Sequence, residues 1–69
     1  MNVDIRKHIM ENFKDSDINE IKNSIVSGIE SKDEVILPGL GVFLEILWNN
    51  SDENSQEYIL NTIKKGLQQ

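Results

Sequence analysis

The side chains that most often carry out chemistry are scarce in this chain. Its 69 residues include one His and no Cys. His8 has Asp4 one helical turn before it, but general base catalysis also needs a nucleophile held beside the base, and no Ser or Cys is placed for that role. A catalytic metal usually needs three His or carboxylate ligands. We therefore interpret His8 as an exposed helix residue, and we predict no enzymatic activity, cofactor, metal or small-molecule substrate.

The charged residues are mostly acidic and spread along the chain. Twelve acidic and seven basic residues give a net charge of −5, whereas nucleic acid binding usually rests on a basic face. We predict no duplex DNA binding, and we interpret Lys64 and Lys65 as a solvated helix end. Glu45 alone lies within an apolar run, which either a partner such as Arg6 or a Lys, or an exposed part of that helix, would explain. No apolar run approaches ~18 residues and the first residues lack a signal-peptide core, so we expect no membrane association.

The most unusual segment is VILPGLGVFLEILWNN, residues 35–50, which contains the only Pro and the only Trp. Gly39 and Gly41 supply only G-x-G, which does not make a nucleotide-binding loop. A short hairpin turning at Pro38-Gly39 is one alternative. A helix is favoured because apolar residues recur at i, i+3, i+4 and i+7. These residues are Leu40, Phe43, Leu44 and Leu47.

Three amphipathic helices are predicted around this segment. The first spans about 11 residues and is capped by Asn2, with an apolar stripe at Ile5, Ile9 and Phe13. The second opens at Asp17 or Ser16, with a stripe at Ile18, Ile21, Ile25 and Ile29. Gly28 is expected at a fraying end or beneath a close neighbour. The last is capped by Ser51 or Asn50 and closed by Gly66 in the left-handed conformation, with a stripe at Ile59, Leu60, Ile63 and Leu67.

Together these elements predict one all-α domain over residues 1–69, a small bundle of about four short helices. The apolar helix is expected at the centre, preceded by a loop at Pro38-Gly39, with Trp48 as a core or dimer anchor. The alternative is a helix pair followed by a β-hairpin and a C-terminal helix. Because residues 35–48 offer more apolar area than three short helices can cover, we also predict self-association as a homodimer.

The segment LPGLGVFLEILWNNSDE resembles the minor small acid-soluble spore proteins of the I type, from endospore-forming bacteria. The single Glu, the closing Trp and the final Lys64-Lys65-Gly66-Leu67 also fit that family, although Ser31-Lys32-Asp33 stands where a Gly-acidic turn is usual. The resemblance implies a non-enzymatic protein made in the forespore during sporulation. It implies residence in the spore core and a structural or storage-like role. The candidate core or interaction motif is Leu37, Pro38, Gly39, Leu40, Gly41, Phe43, Leu47 and Trp48.

A weaker resemblance is to the bacterial histone-like HU family. There too a helix pair is followed by an apolar and glycine-containing turn, as residues 37–43 suggest. That family continues into basic β-arms, whereas this chain continues into an acidic helix. The alternative function is therefore a nucleoid-associated DNA-binding module with an HU-like helix pair.

Overall fold

A computed structural model describes residues 4–69, which form four α-helices and one short 3-10 turn. The elements are α1 (Ile5–Phe13), α2 (Ile18–Ser31), the 3-10 turn Glu34–Ile36, α3 (Leu37–Asn49) and α4 (Glu53–Leu67). No strand occurs among these described residues. The predicted all-α fold of about four short helices is confirmed, and the β-hairpin alternative is wrong.

An Asp carboxylate begins each of the three amphipathic helices. A side-chain oxygen accepts a hydrogen bond from the backbone N–H three residues further on, at 3.0, 2.8 and 2.8 Å for Asp4, Asp17 and Asp52. This contact satisfies one of the N–H groups that a helix start leaves unpaired, and the negative charge suits the positive end of the helix dipole. Asp17 is confirmed as a cap, while the proposed cap Asn2 lies outside the described residues.

Asn50 and Ser51 were predicted to begin α4, and that prediction is wrong. The Asn50 side-chain N–H donates to the Ile46 carbonyl at 2.8 Å, and the Ser51 hydroxyl donates to the Leu47 carbonyl at 2.6 Å. Both side chains therefore satisfy carbonyl groups at the end of α3, which a helix leaves without partners. Asp52 is left as the cap of α4.

Pro38 and Gly39 lie inside the first turn of α3 and not in a loop before it, so the predicted loop is wrong. Pro is tolerated at the first helical positions because its missing N–H would have no partner there. The 3-10 turn Glu34–Ile36 leads directly into the helix. The glycine-containing start of α3 lies close to α1. A Cβ added to Gly39 would lie 3.7 Å from the Ile9 side chain.

The left-handed position in the described residues is Lys32, with φ of 56° at the end of α2. Gly66 was predicted to take that conformation at the end of α4, but it is helical and the helix continues to Leu67. The positive φ therefore marks the connection between α2 and the 3-10 turn and not the end of α4.

α3 is the helix that both α1 and α2 contact, as predicted for a central element. The Phe13 and Phe43 rings meet edge to face with centroids 5.2 Å apart, and Gly28 lies beneath the Ile36 and Leu40 side chains. However, Val42 is the one apolar side chain buried within residues 4–69, at 8% exposure. The expectation that α3 is buried all round is wrong, because two short helices and a 3-10 turn cover only part of its circumference.

Candidate interaction surface

The described residues form an apolar groove of about 630 Å³. It lies where α1, α2 and α3 meet. Its lining residues are Ile9, Met10, Phe13 and Lys14 from α1 and its C-terminal end, Ile21, Ile25 and Ile29 from α2, and Leu40, Phe43, Leu44, Ile46 and Leu47 from α3. Lys14 is the one charged member of this described lining. We call this surface the apolar groove.

The structure divides the motif predicted from the sequence. Leu40, Phe43 and Leu47 line the apolar groove. Leu37 lines a smaller depression of about 210 Å³ beside Gly28 and Lys32. The remaining motif residues, Pro38, Gly39, Gly41 and Trp48, contribute backbone or side chains to α3 but do not line the groove.

Trp48 is 37% exposed, so a single chain covers it only in part. Trp48 lies in the last turn of α3. The Trp48 backbone carbonyl accepts a hydrogen bond from the Gln56 amide at 3.1 Å. The predicted role of Trp48 at a dimer contact stays a prediction.

Sequence reasoning did not identify nine further side chains as parts of the same surface. They are Ile9, Met10, Phe13, Lys14, Ile21, Ile25, Ile29, Leu44 and Ile46. The signal was present, because most of these residues belong to the predicted apolar stripes of α1 and α2. A stripe indicates which side of a helix needs cover. It does not indicate that two stripes will border one opening that nothing in the described chain fills.

Glu45 is paired with Arg6, as expected from its place in the apolar run. The Arg6 guanidinium donates two hydrogen bonds to the Glu45 carboxylate, at 2.7 and 2.9 Å. This two-point geometry links α1 to α3 and matches the fork of the guanidinium. The hydrogen bonding from Arg6 holds the pKa of Glu45 below its ordinary value of 4.5. The pair lies near the surface, which makes it a positioning contact with modest energy.

The remaining polar residues do not assemble a reactive site in the described part of the chain. The His8 ring lies 3.0 Å from the Asn12 amide, one turn further along α1, and both side chains are exposed. Among residues 4–69, no group of three His or carboxylate side chains gathers closely enough to hold a metal ion. What this arrangement offers chemically is an apolar concave surface that can receive another apolar surface.

Residues 3–67 match the family model described as small, acid-soluble spore protein I. The match covers nearly the whole sequence and includes every residue of the predicted motif. The chain belongs to this family. The resemblance proposed from LPGLG and the run that ends at Trp48 is therefore confirmed, and the protein is a spore protein related to sporulation.

Similar members of the small, acid-soluble spore protein I family come from several bacteria. The chain is 40% identical to the protein from Halalkalibacterium halodurans, covering 99% of this chain and 100% of that protein. It is 37% identical to the protein from Bacillus cytotoxicus, covering 97% and 96%, and 36% identical to that of Bacillus mycoides, covering 97% of each.

No solved structure matches the chain significantly. The helices of residues 4–69 are each too short or too polar to cross a membrane.

Proposed function

We propose that this chain is a non-enzymatic protein of the spore core, made in the forespore, with a structural or storage-like role in the dormant spore. The observation that carries the proposal is the family match over residues 3–67. The surface of the molecule supports it. Its main concave feature is an apolar groove, which suits association with another molecule, whereas its His and carboxylate side chains are dispersed over exposed positions.

Deleting the gene and scoring the spores tests this role. If the protein is structural, the deletion lowers resistance of dormant spores to heat and desiccation. If it is storage-like, resistance is kept and outgrowth slows in a medium poor in amino acids. Restoring the gene at its own locus should reverse either defect. Spores that match the parent strain in both assays contradict the proposal.

Localisation has its own measurement. A fluorescent fusion expressed from the native promoter should appear in the forespore compartment and remain inside the inner membrane of the mature spore. A fusion of the same fluorescent protein to a known coat protein serves as the control for an outer position. Fluorescence in the mother cell or the coat would contradict residence in the core.

We further propose that the chain does not bind duplex DNA at physiological salt. Non-specific affinity grows with the number of phosphates that cationic side chains neutralise, and the net charge here is −5. Arg6 is already occupied by the Glu45 carboxylate. The other cations are dispersed over the molecule, at Lys7, Lys14, Lys22, Lys32, Lys64 and Lys65.

A fluorescence anisotropy titration of a labelled duplex at ~150 mM salt checks this proposal. We expect no saturable change up to high micromolar protein. The variant Glu45→Gln is a useful companion, since it releases Arg6 and removes one negative charge. Micromolar binding by the native protein that weakens steeply with salt would instead favour the HU-like, nucleoid-associated alternative.

A further inference from the structure

Two apolar surfaces of the described chain remain uncovered at the same time. One is the apolar groove. The other is on α4, where Ile59, Leu60, Ile63 and Leu67 fall at i, i+1, i+4 and i+8 and so share one side of the helix. Leu60, Ile63 and Leu67 are exposed, and Ile59 is partly buried. We call these four residues the α4 stripe.

The chain exposes more surface than a compact monomer of its mass would. Its accessible surface is 6173 Å². A compact monomer of 7.9 kDa exposes about 4,400 Å² by the usual scaling of surface with mass. The excess is roughly 1,800 Å². The radius of gyration, 13.3 Å, likewise exceeds the value of about 11 Å expected for a compact domain of this length.

The junction between α3 and α4 keeps the α4 stripe away from the groove of its own chain. Side chains of Asn50 and Ser51 bond back to carbonyls in the last turn of α3, and the Gln56 amide bonds to the Trp48 carbonyl. Only the last of these contacts involves α4. No α4 residue appears among the described residues that line the groove.

We propose that a second copy of this chain covers the groove, with each copy placing its α4 stripe in the groove of the other. The two surfaces match in length. The α4 stripe runs from residue 59 to residue 67, about 12 Å at 1.5 Å per residue, and the α3 part of the groove runs from residue 40 to residue 47, about 10.5 Å. Seating one helix there surrounds α3 with three helices and completes a four-helix cluster across the two chains.

The area agrees with this arrangement. Covering the excess surface of both chains removes roughly 3,500 Å² from water, within the range of about 2,000–5,000 Å² seen in obligate homodimers. The net charge disfavours the dimer, since each copy carries −5 and the two copies repel each other. Added salt screens the repulsion between two like-charged chains. The dimer should therefore tighten as the salt concentration rises, which is the reverse of the behaviour of DNA binding.

Light scattering coupled to size-exclusion chromatography, on the full chain across a range of concentrations and salt, measures this association. We expect a dimer. Leu44→Glu in the groove and Ile63→Lys in the α4 stripe should each weaken it by about 30-fold or more, as for substitutions at the centre of an interface. The matched control is Tyr58→Lys, which places the same charge on the opposite side of α4, where Tyr58 is exposed, and should leave the dimer intact.

Mixing the two weakened variants distinguishes α4 exchange from other arrangements. In a dimer of one Leu44→Glu chain and one Ile63→Lys chain, the native α4 stripe of the first lies in the native groove of the second. At the other contact, the new Lys of the second chain faces the new Glu in the groove of the first. We expect the mixture to recover a dimer that neither variant forms alone. If the two grooves met each other directly, or if α4 closed over its own groove, mixing would restore nothing.

Crosslinking answers the same question with milder changes, should the charged variants lose their helices. The native chain contains no Cys. A Leu47→Cys chain mixed with a Leu60→Cys chain should yield a disulfide-linked heterodimer under mild oxidation, and Tyr58→Cys in place of Leu60→Cys should not. A native protein that stays monomeric at millimolar concentration, or equal crosslinking from both faces of α4, overturns the proposal.

Discussion

The first and last helices of the described chain are built alike but held differently. α1 and α4 are both amphipathic, and both begin at an Asp cap. α1 is attached to α3 by the Arg6–Glu45 ion pair and by the contact between Phe13 and Phe43. α4 is joined to α3 by the hydrogen bond from the Gln56 amide to the Trp48 carbonyl, and most of its apolar side chains remain exposed. The difference shows that an amphipathic pattern predicts which side of a helix is apolar but not which surface packs against that side.

The largest expected difference between these regions comes from removing aromatic rings. Phe43→Ala should lower the free energy of unfolding by about 2–3 kcal/mol, less than for a fully buried Phe because the ring is only partly buried. Tyr58→Ala on α4 should change it by less than about 0.5 kcal/mol, since the ring is exposed. Urea denaturation followed by far-UV circular dichroism measures both. Equal losses would show that α4 is as firmly packed as α1.

Two helical glycines sharpen the same contrast. A Cβ at Gly28 would lie 3.0 Å from the Ile36 side chain and 3.3 Å from that of Leu40, whereas a Cβ at Gly66 meets nothing within 4 Å. Gly28→Val should therefore destabilise by about 1–3 kcal/mol through overpacking. Gly66→Ala should stabilise α4 by up to about 1 kcal/mol through helix propensity. The same denaturation experiment checks both signs, and a stabilising Gly28→Val would contradict the close packing of α2 on α3.

Removing the caps should separate local from global effects. Asp52→Ala removes the carboxylate that accepts the Ser55 N–H, so α4 should fray and the far-UV signal should fall at temperatures where the rest of the protein stays folded. Asp4→Ala should instead shift the main unfolding transition, because α1 is packed on α3. Proton exchange of individual amides, followed by NMR, would resolve the two. Loss of protection across all four described helices in Asp52→Ala would show that α4 is coupled to the rest within one chain.

The smallest expected effect is on the pH dependence of stability. The hydrogen bonds from Arg6 and from the Ser55 N–H lower the pKa values of Glu45 and Asp52 below their ordinary values of 4.5 and 3.8. Groups with a lowered pKa in the folded state stabilise it above their unfolded pKa, and this contribution is lost as the pH falls through the folded value. Stability should therefore be level near neutral pH and decline below about pH 4.5.

Glu45→Gln isolates one part of that decline. The variant should be slightly less stable near neutral pH and lose less on acidification, so the two curves approach each other at low pH. Glu57→Gln, which removes the same charge from an exposed position on α4, is the matched control. Thermal melts across the pH range provide the measurement. A Glu45→Gln curve parallel to that of the native protein would mean that the ion pair contributes nothing to the pH dependence.

Much of the fold could be predicted from local chemistry. Isoleucines spaced by three and four residues indicated α2, and the Asp17 cap with Glu20 three residues on indicated where it begins. The single Glu within the apolar run led to its partner Arg6, because an isolated charge in that position requires one. These features depend on neighbours in sequence or on one dominant energetic requirement.

The predictions that failed depend on competition between neighbours. Asn50, Ser51 and Asp52 are all good caps, and the choice among them depends on which carbonyls of α3 need donors. Gly66 was the expected left-handed residue because glycine adopts that conformation most easily, but Lys32 adopts it and Gly66 lies within α4. The apolar groove could not be predicted from either stripe alone, since it arises from the way in which two helices rest against a third.

The Asp caps also bear on the order of events in folding. Each capped helix closes its first turn with a residue three positions away, so its formation does not wait for distant segments. Helices of this size form within roughly 0.1–1 μs, and proteins with mostly local contacts fold in microseconds to milliseconds. A dimer built by exchange of α4 would then be limited by the encounter of two chains that have already formed their helices. Its rate of assembly would rise with protein concentration, while the appearance of helical signal would not.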